Sequence, residues 1–196
     1  MLGLACFGTG IAFFVQGDVG VPPWDVFHTG VADRIGSTLG TVLIVTSFVV
    51  LLLWVPLRLR PGIGTLLNAV EIGLVENVMA ELLPRPDHLV ARLAMMCAGM
   101  LFIAAGSGLY IGAELGPGPR DGLMVGLNQR FGISVRLART VVEVSVLLIG
   151  VALGGSIGLG TFVFALGIGP LVQVTLRTFR MSPSLVAAAA GEALEQ

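Results

Sequence analysis

Apolar residues run in long blocks along this chain, without the alternation of a half-buried strand or the single stripe of a soluble amphipathic helix. Residues 38–57 form a run of 20 without a charged side chain, and residues 93–113 a run of 21. At about 1.5 Å per helical residue, each can cross the ~30 Å hydrocarbon core of a bilayer. With these two, the apolar segments 1–16, 38–57, 64–83, 92–113, 135–154 and 161–178 predict an all-α, polytopic membrane protein of six transmembrane helices. Segments 22–35 and 118–131 are too short to cross and begin at or beside proline, which suits a first helical turn because that turn lacks N–H partners. They are expected to be interfacial or re-entrant half-helices.

The pattern repeats. Sliding the sequence by 96 positions pairs residues 3–83 with 99–179 without a gap, giving 21 identities in 81 positions. Eight of the eleven first-copy glycines, at 3, 10, 20, 30, 36, 62, 64 and 73, meet a glycine in the second. Such residues mark close helix contacts or turns of positive φ. Asp25/Asp121, Arg34/Arg130, Thr65/Thr161 and Pro23/Pro119 recur as well. The chain therefore reads as an internal duplication: a first repeat at 1–83, a linker at 84–91, a second repeat at 92–180 and a tail at 181–196. The second copy's first helix begins near Leu89 or Arg92, whose equivalents would precede residue 1. The first span is thus short, either because the native start lies upstream or because this helix is tethered.

Three long spans per copy, with a half-helix returning to its own side, would turn the second copy upside down relative to the first. Charge supports that arrangement. Eight arginines (58, 60, 120, 130, 136, 139, 177 and 180) fall on one side and three (34, 85 and 92) on the other. The positive-inside rule then places both termini in the cytoplasm of a bacterial inner-membrane, multi-pass protein, with the glycine-rich turn 154–160 outside. Inverted repeats are typical of secondary transporters, whose sites lie where the copies meet.

Composition narrows the function further. The chain is 55% hydrophobic and only 12% charged, against roughly 25% in a soluble domain. Its 11 basic and 12 acidic residues leave a net charge of -1 and no basic stripe, which excludes nucleic acid as the expected partner. Cys6 and Cys97 sit in apolar runs, outside any CxxC or Cys/His cluster. They read as small hydrophobes, so neither a metal nor a cofactor is expected. Residues 1–16 carry no basic n-region, and no signal peptide is expected.

Candidate chemistry gathers at a few places. The short segments open with Val21-Pro22-Pro23-Trp24-Asp25 and Pro117-Gly118-Pro119-Arg120-Asp121. Asp25 and Asp121 would cap the free N–H groups of their helices. Alternatively, these ends line a central cavity from opposite faces, one mouth offering Trp24 and the other Arg120. Gly62-Ile63-Gly64-Thr65 and Gly158-Leu159-Gly160-Thr161 read as tight turns with threonine as N-cap, where an anion could also bind. Asn68 and Glu71, one turn apart in the third span, and Glu143 in the fifth are costly at membrane depth and so are expected to face protein or water. Glu71 is expected near 167–170, with a role in proton coupling or a structural pairing with an arginine such as Arg139. Glu76 and Asn77 approach the outer end, where water could solvate them. Gly167, Gly169 and Pro170 mark a kink or hinge in the sixth span. Gly106-Ser107-Gly108 suggests a membrane protease, but neither His28 nor His88 lies in a long span to serve as base, and HExxH is absent. An enzyme is not expected.

The PPWD turn at 22–25, the Gly30/Gly36 spacing, GIGT at 62–65 with Asn68 and Gly73, and the second-copy GLGT with Gly169 and Pro170 resemble the YczE/YyaS/YitT group of bacterial integral-membrane proteins. The resemblance runs to about Arg180. It implies a location and a fold, and hardly any chemistry. The expected function is a permease-like inverted-repeat transporter for a small solute, an anion or an amphiphile, driven by an ion gradient because no nucleotide motif is present. The alternative is a non-transporting scaffold that assists a partner enzyme or export complex. Membrane lipids are expected partners, and a homo-oligomer or a partner membrane protein stays open.

Overall fold

The computed structural model describes residues 1–113 and 115–178, so the tail at 181–196 and the last two residues of the second repeat lie outside the described residues. Eight helices follow one another: α1 (Leu2–Gly17), α2 (Pro23–Ile35), α3 (Leu39–Leu57), α4 (Ile63–Leu82), α5 (Leu89–Gly112), α6 (Pro119–Phe131), α7 (Val135–Ala152) and α8 (Leu159–Thr178). Among the described residues there is no strand.

Against the six spans expected, four helices, α3, α4, α5 and α8, are long and apolar enough to cross a membrane. The other two differ for separate reasons. α1 is shorter, at 16 residues. α7 carries Arg136, Arg139 and Glu143, and the latter two face an internal cavity rather than the outside of the bundle.

The glycine repeat has a direct structural cause. α1 and α5 are equivalent helices of the two copies and pack antiparallel, with Gly3 against the backbone of Gly106 and Tyr110, Gly10 against Gly99, and Gly17 against Arg92. A β-carbon on Gly10 would lie 2.7 Å from the Gly99 carbonyl oxygen, closer than real packing allows. Only glycine lets the two backbones approach this far.

The copies also exchange their short helices. α2 packs on α7 and α6 packs on α3. Gly30 meets Leu153 where its equivalent Gly126 meets Leu57. One contact is complementary in size: Trp54 of α3 fills the hollow left by Gly122 of α6, whereas in the mirrored pair Gly150 of α7 makes room for the α2 backbone at Val26 and Phe27. The Trp54 indole N–H donates to the Pro119 carbonyl at 3.1 Å, so the ring is buried and its polar atom satisfied.

Each half-helix is held at its entrance by the other copy. The Val19 carbonyl accepts from Gly160 N–H at 2.8 Å, and the equivalent Leu115 carbonyl accepts from Gly64 N–H at 2.9 Å. Both connections turn through a left-handed glycine, Gly20 (φ +102°) and Gly116 (φ +116°), a conformation that other residues adopt at a cost. The GxGT turns are thus docking sites for the opposite copy. Thr65 and Thr161 are not N-caps, as the sequence suggested. Each lies a turn further in, its hydroxyl accepting from the N–H of Gly62 or Gly158, and the Thr65 hydroxyl donates to the Pro117 carbonyl.

One contact is not repeated. α3 and α4 pack side by side, the backbones of Gly40 and Gly73 touching. α7 and α8, their equivalents, do not pack in this way; α8 leans on α5 and α7 on α2 and α6. The residue equivalent to Gly40 is Arg136, too large for such an approach. Gly169, the equivalent of Gly73, has nothing within 4 Å of the place where a β-carbon would sit.

Candidate functional site

A cavity of about 530 Å³ lies between the two copies. Equivalent positions of both copies line it: Asn68 and Phe164, Ile72 and Ile168, Gly73 and Gly169, Trp24 and Arg120, Ser47 and Glu143. The site therefore straddles the relation between the copies, yet its charge is one-sided. Arg120, Asp121, Arg139 and Glu143 all come from the second copy, and the first contributes Trp24, Phe7, Leu43, Ser47 and Asn68.

The half-helix ends meet instead of forming separate mouths. The guanidinium carbon of Arg120 stands 4.6 Å from the Trp24 ring centroid, a cation–π contact whose value rises when water is excluded. An amino group of Arg120 lies 3.9 Å from Asp25 Oδ1. Asp25 is 1% exposed and does not cap its helix. Its Oδ1 is 2.9 Å from His28 Nδ1 one turn later. A carboxylate this deep is tolerated only with partners, and a cation above and an imidazole beside it supply them.

Asp121 is not a cap either. Its Oδ2 accepts from the Tyr110 hydroxyl at 2.8 Å, and its Oδ1 lies 3.5 Å from an amino group of Arg139. With Arg139 turned to Asp121, Glu143 has no ion-pair partner among the described residues and stands free on the cavity wall. The arrangement offers a solute donors on Arg120, an acceptor on Glu143, and an aromatic and aliphatic enclosure. No group of three or more metal-ligating side chains occurs among the described residues.

Of the residues singled out in the sequence, Trp24, Asn68, Arg120, Asp121, Glu143 and Gly169 line the cavity, and Asp25 lies beneath Arg120. Glu71 does not line it. Its carboxylate turns toward α1 and lies 3.9 Å from the Met1 amine, because α4 presents Asn68, Ala69, Ile72 and Gly73 to the cavity and that face leaves Glu71 on the α1 side. The neighbourhood expected for it at 167–170 lies across the cavity instead. Glu76, which the sequence placed near solvent, is 1% exposed, and neither carboxylate oxygen has a hydrogen-bond partner among the described residues. Gly167 faces the Met100 side chain. α8 continues as helix through Pro170.

Sequence reasoning passed over Tyr110, set His28 aside, and offered Arg139 as a partner for Glu71; Arg139 turns instead to Asp121, and Glu71 lies beside the Met1 amine. For His28 a signal existed, a histidine three residues after the carboxylate of a short helix. It was set aside because that helix does not span. Tyr110, the chain's single tyrosine, is separated from Asp121 by the α5–α6 connection, and nothing in the spacing shows that this connection folds back.

The chain is 39% identical over 185 residues to an "uncharacterized protein" of Haemophilus influenzae, covering 94% of this chain and 85% of that one. It is 31% identical over 176 residues to the "uncharacterized membrane protein YczE" of Bacillus subtilis, covering 89% of this chain and 82% of that one. It is also 23% identical over 177 residues to YyaS of the same organism, covering 88% of each chain. No solved structure matches. The family of unknown function DUF6198 matches residues 1–177. The chain, a helical membrane protein that resembles YczE and YyaS, belongs to that family.

Proposed function

We propose that the protein is a transporter-like permease of the bacterial inner membrane, built from two inverted copies of one unit that hold a small charged solute between them. The observation that carries this reading is the cavity at the junction of the copies, with both half-helix ends and the free groups of Arg120 and Glu143 on its wall. Antiparallel packing of α1 with α5, and the exchange of α2 and α6 between copies, supply the support for inversion. In such a design the half-helix ends meet at mid-membrane, where broken helices place polar groups without exposing backbone to lipid. α1 and α7 would be the fifth and sixth crossings, α1 tilted little and α7 keeping its charges toward the cavity. Both termini and the 58–60 turn would lie in the cytoplasm, and the 154–160 turn outside.

Arg120 is the expected binding group, shared between Asp25 and the solute. Solute screening in sealed proteoliposomes tests the reading. Uptake of at least one charged solute by the unmodified protein, lost with Arg120→Gln at equal insertion, supports it. Equal flux in both, or no uptake across anions, cations and zwitterions under an imposed proton or sodium gradient, contradicts it. A scaffold would have a dry, close-packed junction between copies, and the cavity argues against that alternative.

A further inference from the structure

We infer that the cavity takes the head group of a zwitterionic amphiphile, whose hydrocarbon chain leaves through the slot between α7 and α8. This rests on reading the cavity as a ligand site, and it adds the ligand's class and its route of entry.

The head-group assignment follows from which charges are already satisfied. Asp121 is occupied by Tyr110 and Arg139, and Asp25 by His28. Arg120 has only the 3.9 Å approach to Asp25 and the face of Trp24, so its N–H donors remain open to the cavity. Glu143 has no ion-pair partner among the described residues. The open donors of Arg120, joined by the unpartnered Nε of Arg139, and the unpaired carboxylate of Glu143 among the described residues suit a ligand with both signs, an acidic group for the arginines and an ammonium for Glu143. A purely anionic ligand would leave Glu143 facing it, a like-charge juxtaposition that costs affinity.

The chain route follows from the broken symmetry. α3 and α4 seal their side through Gly40 and Gly73, whereas Arg136 replaces the first of these glycines and α7 stays apart from α8. The α8 side of the cavity wall is apolar, with Phe164, Ile168 and Val172, and α7 contributes Val135 beside its charged Arg139 and Glu143. On the outward faces of the same two helices, Val144, Leu148, Phe162 and Leu166 are exposed, as suits contact with lipid. A gap with one apolar wall, beside the charges of α7, accommodates a molecule with a polar head and an acyl chain, and a fully polar solute gains nothing from that wall.

Tryptophan fluorescence tests this without a known substrate, because Trp24 lines the cavity and Trp54 is buried elsewhere. The Trp54→Phe variant is reconstituted in vesicles of an uncharged diacyl glycolipid, which offers the site neither charge, with increasing fractions of phosphatidylethanolamine brominated on its acyl chain, and in parallel with equally brominated phosphatidylglycerol. If Trp54→Phe does not fold, the Trp24→Phe variant subtracted from the unmodified protein gives the same signal. The expected result is saturable quenching of Trp24, with roughly ten-fold tighter half-saturation for the zwitterionic lipid, the scale of one charge-assisted contact. Glu143→Gln should abolish that preference, and Gly169→Leu, which adds bulk where the structure has open space, should abolish the saturable quenching. Quenching that is linear in bromolipid, indifferent to head group and unchanged by Gly169→Leu would mean contact with bulk lipid only and would overturn the inference. So would tighter half-saturation by the anionic lipid. Saturable lipid binding with no transport of any solute would leave this inference standing and remove the transport reading.

Discussion

Asp25 and Asp121 occupy equivalent places in the first turns of α2 and α6, and duplication has given them different partners. One is buried with His28 beneath Arg120, and the other is held at the cavity wall by Tyr110 and Arg139. Their recurrence was legible in the sequence, but their role was not. A carboxylate in a first helical turn usually caps, and only tertiary neighbours turn it away. Tyr110→Phe would leave Asp121 Oδ2 without its donor and should lower stability by about 1–2 kcal/mol, read as a lower thermal midpoint in detergent, with Tyr110→Trp no rescue. The three arginines of the sparsely charged side, 34, 85 and 92, are taken up structurally: Arg34 and Arg92 donate to carbonyls at the C-terminal ends of α7 and α1, and Arg85 donates to Gln16. Cations at such ends are favoured by the helix dipole. Trp54 and Gly122 form a large-to-small pair, so Gly122→Val should overpack and cost about 1–3 kcal/mol. Combining it with Trp54→Leu should restore part of the loss, a coupling that a double-mutant cycle in chemical denaturation would measure.

At the level of elements, the apolar blocks and the Pro-headed segments foretold all eight helices, because length and periodicity are local properties. The partners of those helices are not local. The glycine identities announced close contacts, yet the contacts turned out to run mostly between copies: Gly10 to Gly99, Gly20 to Gly158, Gly62 and Gly64 to Leu115. Gly20→Ala and Gly116→Ala each combine a positive φ with a crowded approach to the opposite copy. Each should destabilise by about 1–3 kcal/mol and loosen one half-helix entrance, detectable as faster amide exchange in the first turn of α2 or α6. Gly169→Ala, in open space, serves as the control and should leave the thermal midpoint within about 0.5 kcal/mol equivalent. Glu71 shows where element-level reasoning failed. Its depth in the span predicts a cost, but the face of α4 turned to the cavity carries Asn68 and Ile72, and Glu71 looks toward α1.

For the whole molecule, two statements remain to be measured, orientation and access. The proposed orientation rests on the eight-to-three arginine asymmetry, and the proposed inversion on the antiparallel pairing of equivalent helices. In a background lacking Cys6 and Cys97, Ser156→Cys should react with an impermeant thiol reagent from the outer face and Ser134→Cys from the cytoplasmic face; reaction of both from one face would contradict inversion. Access distinguishes a transporter from a scaffold and needs no substrate. Ser47, the equivalent of Glu143 in the first copy, lines the cavity at the junction of the copies. In the same cysteine-free background, Ser47→Cys is exposed to an impermeant thiol reagent applied to right-side-out vesicles and, separately, to inside-out vesicles. The account predicts modification from both sides, each blocked by Gly169→Leu. Modification from one side alone, or from neither while the denatured protein reacts fully, would contradict a cavity that opens to both faces of the membrane.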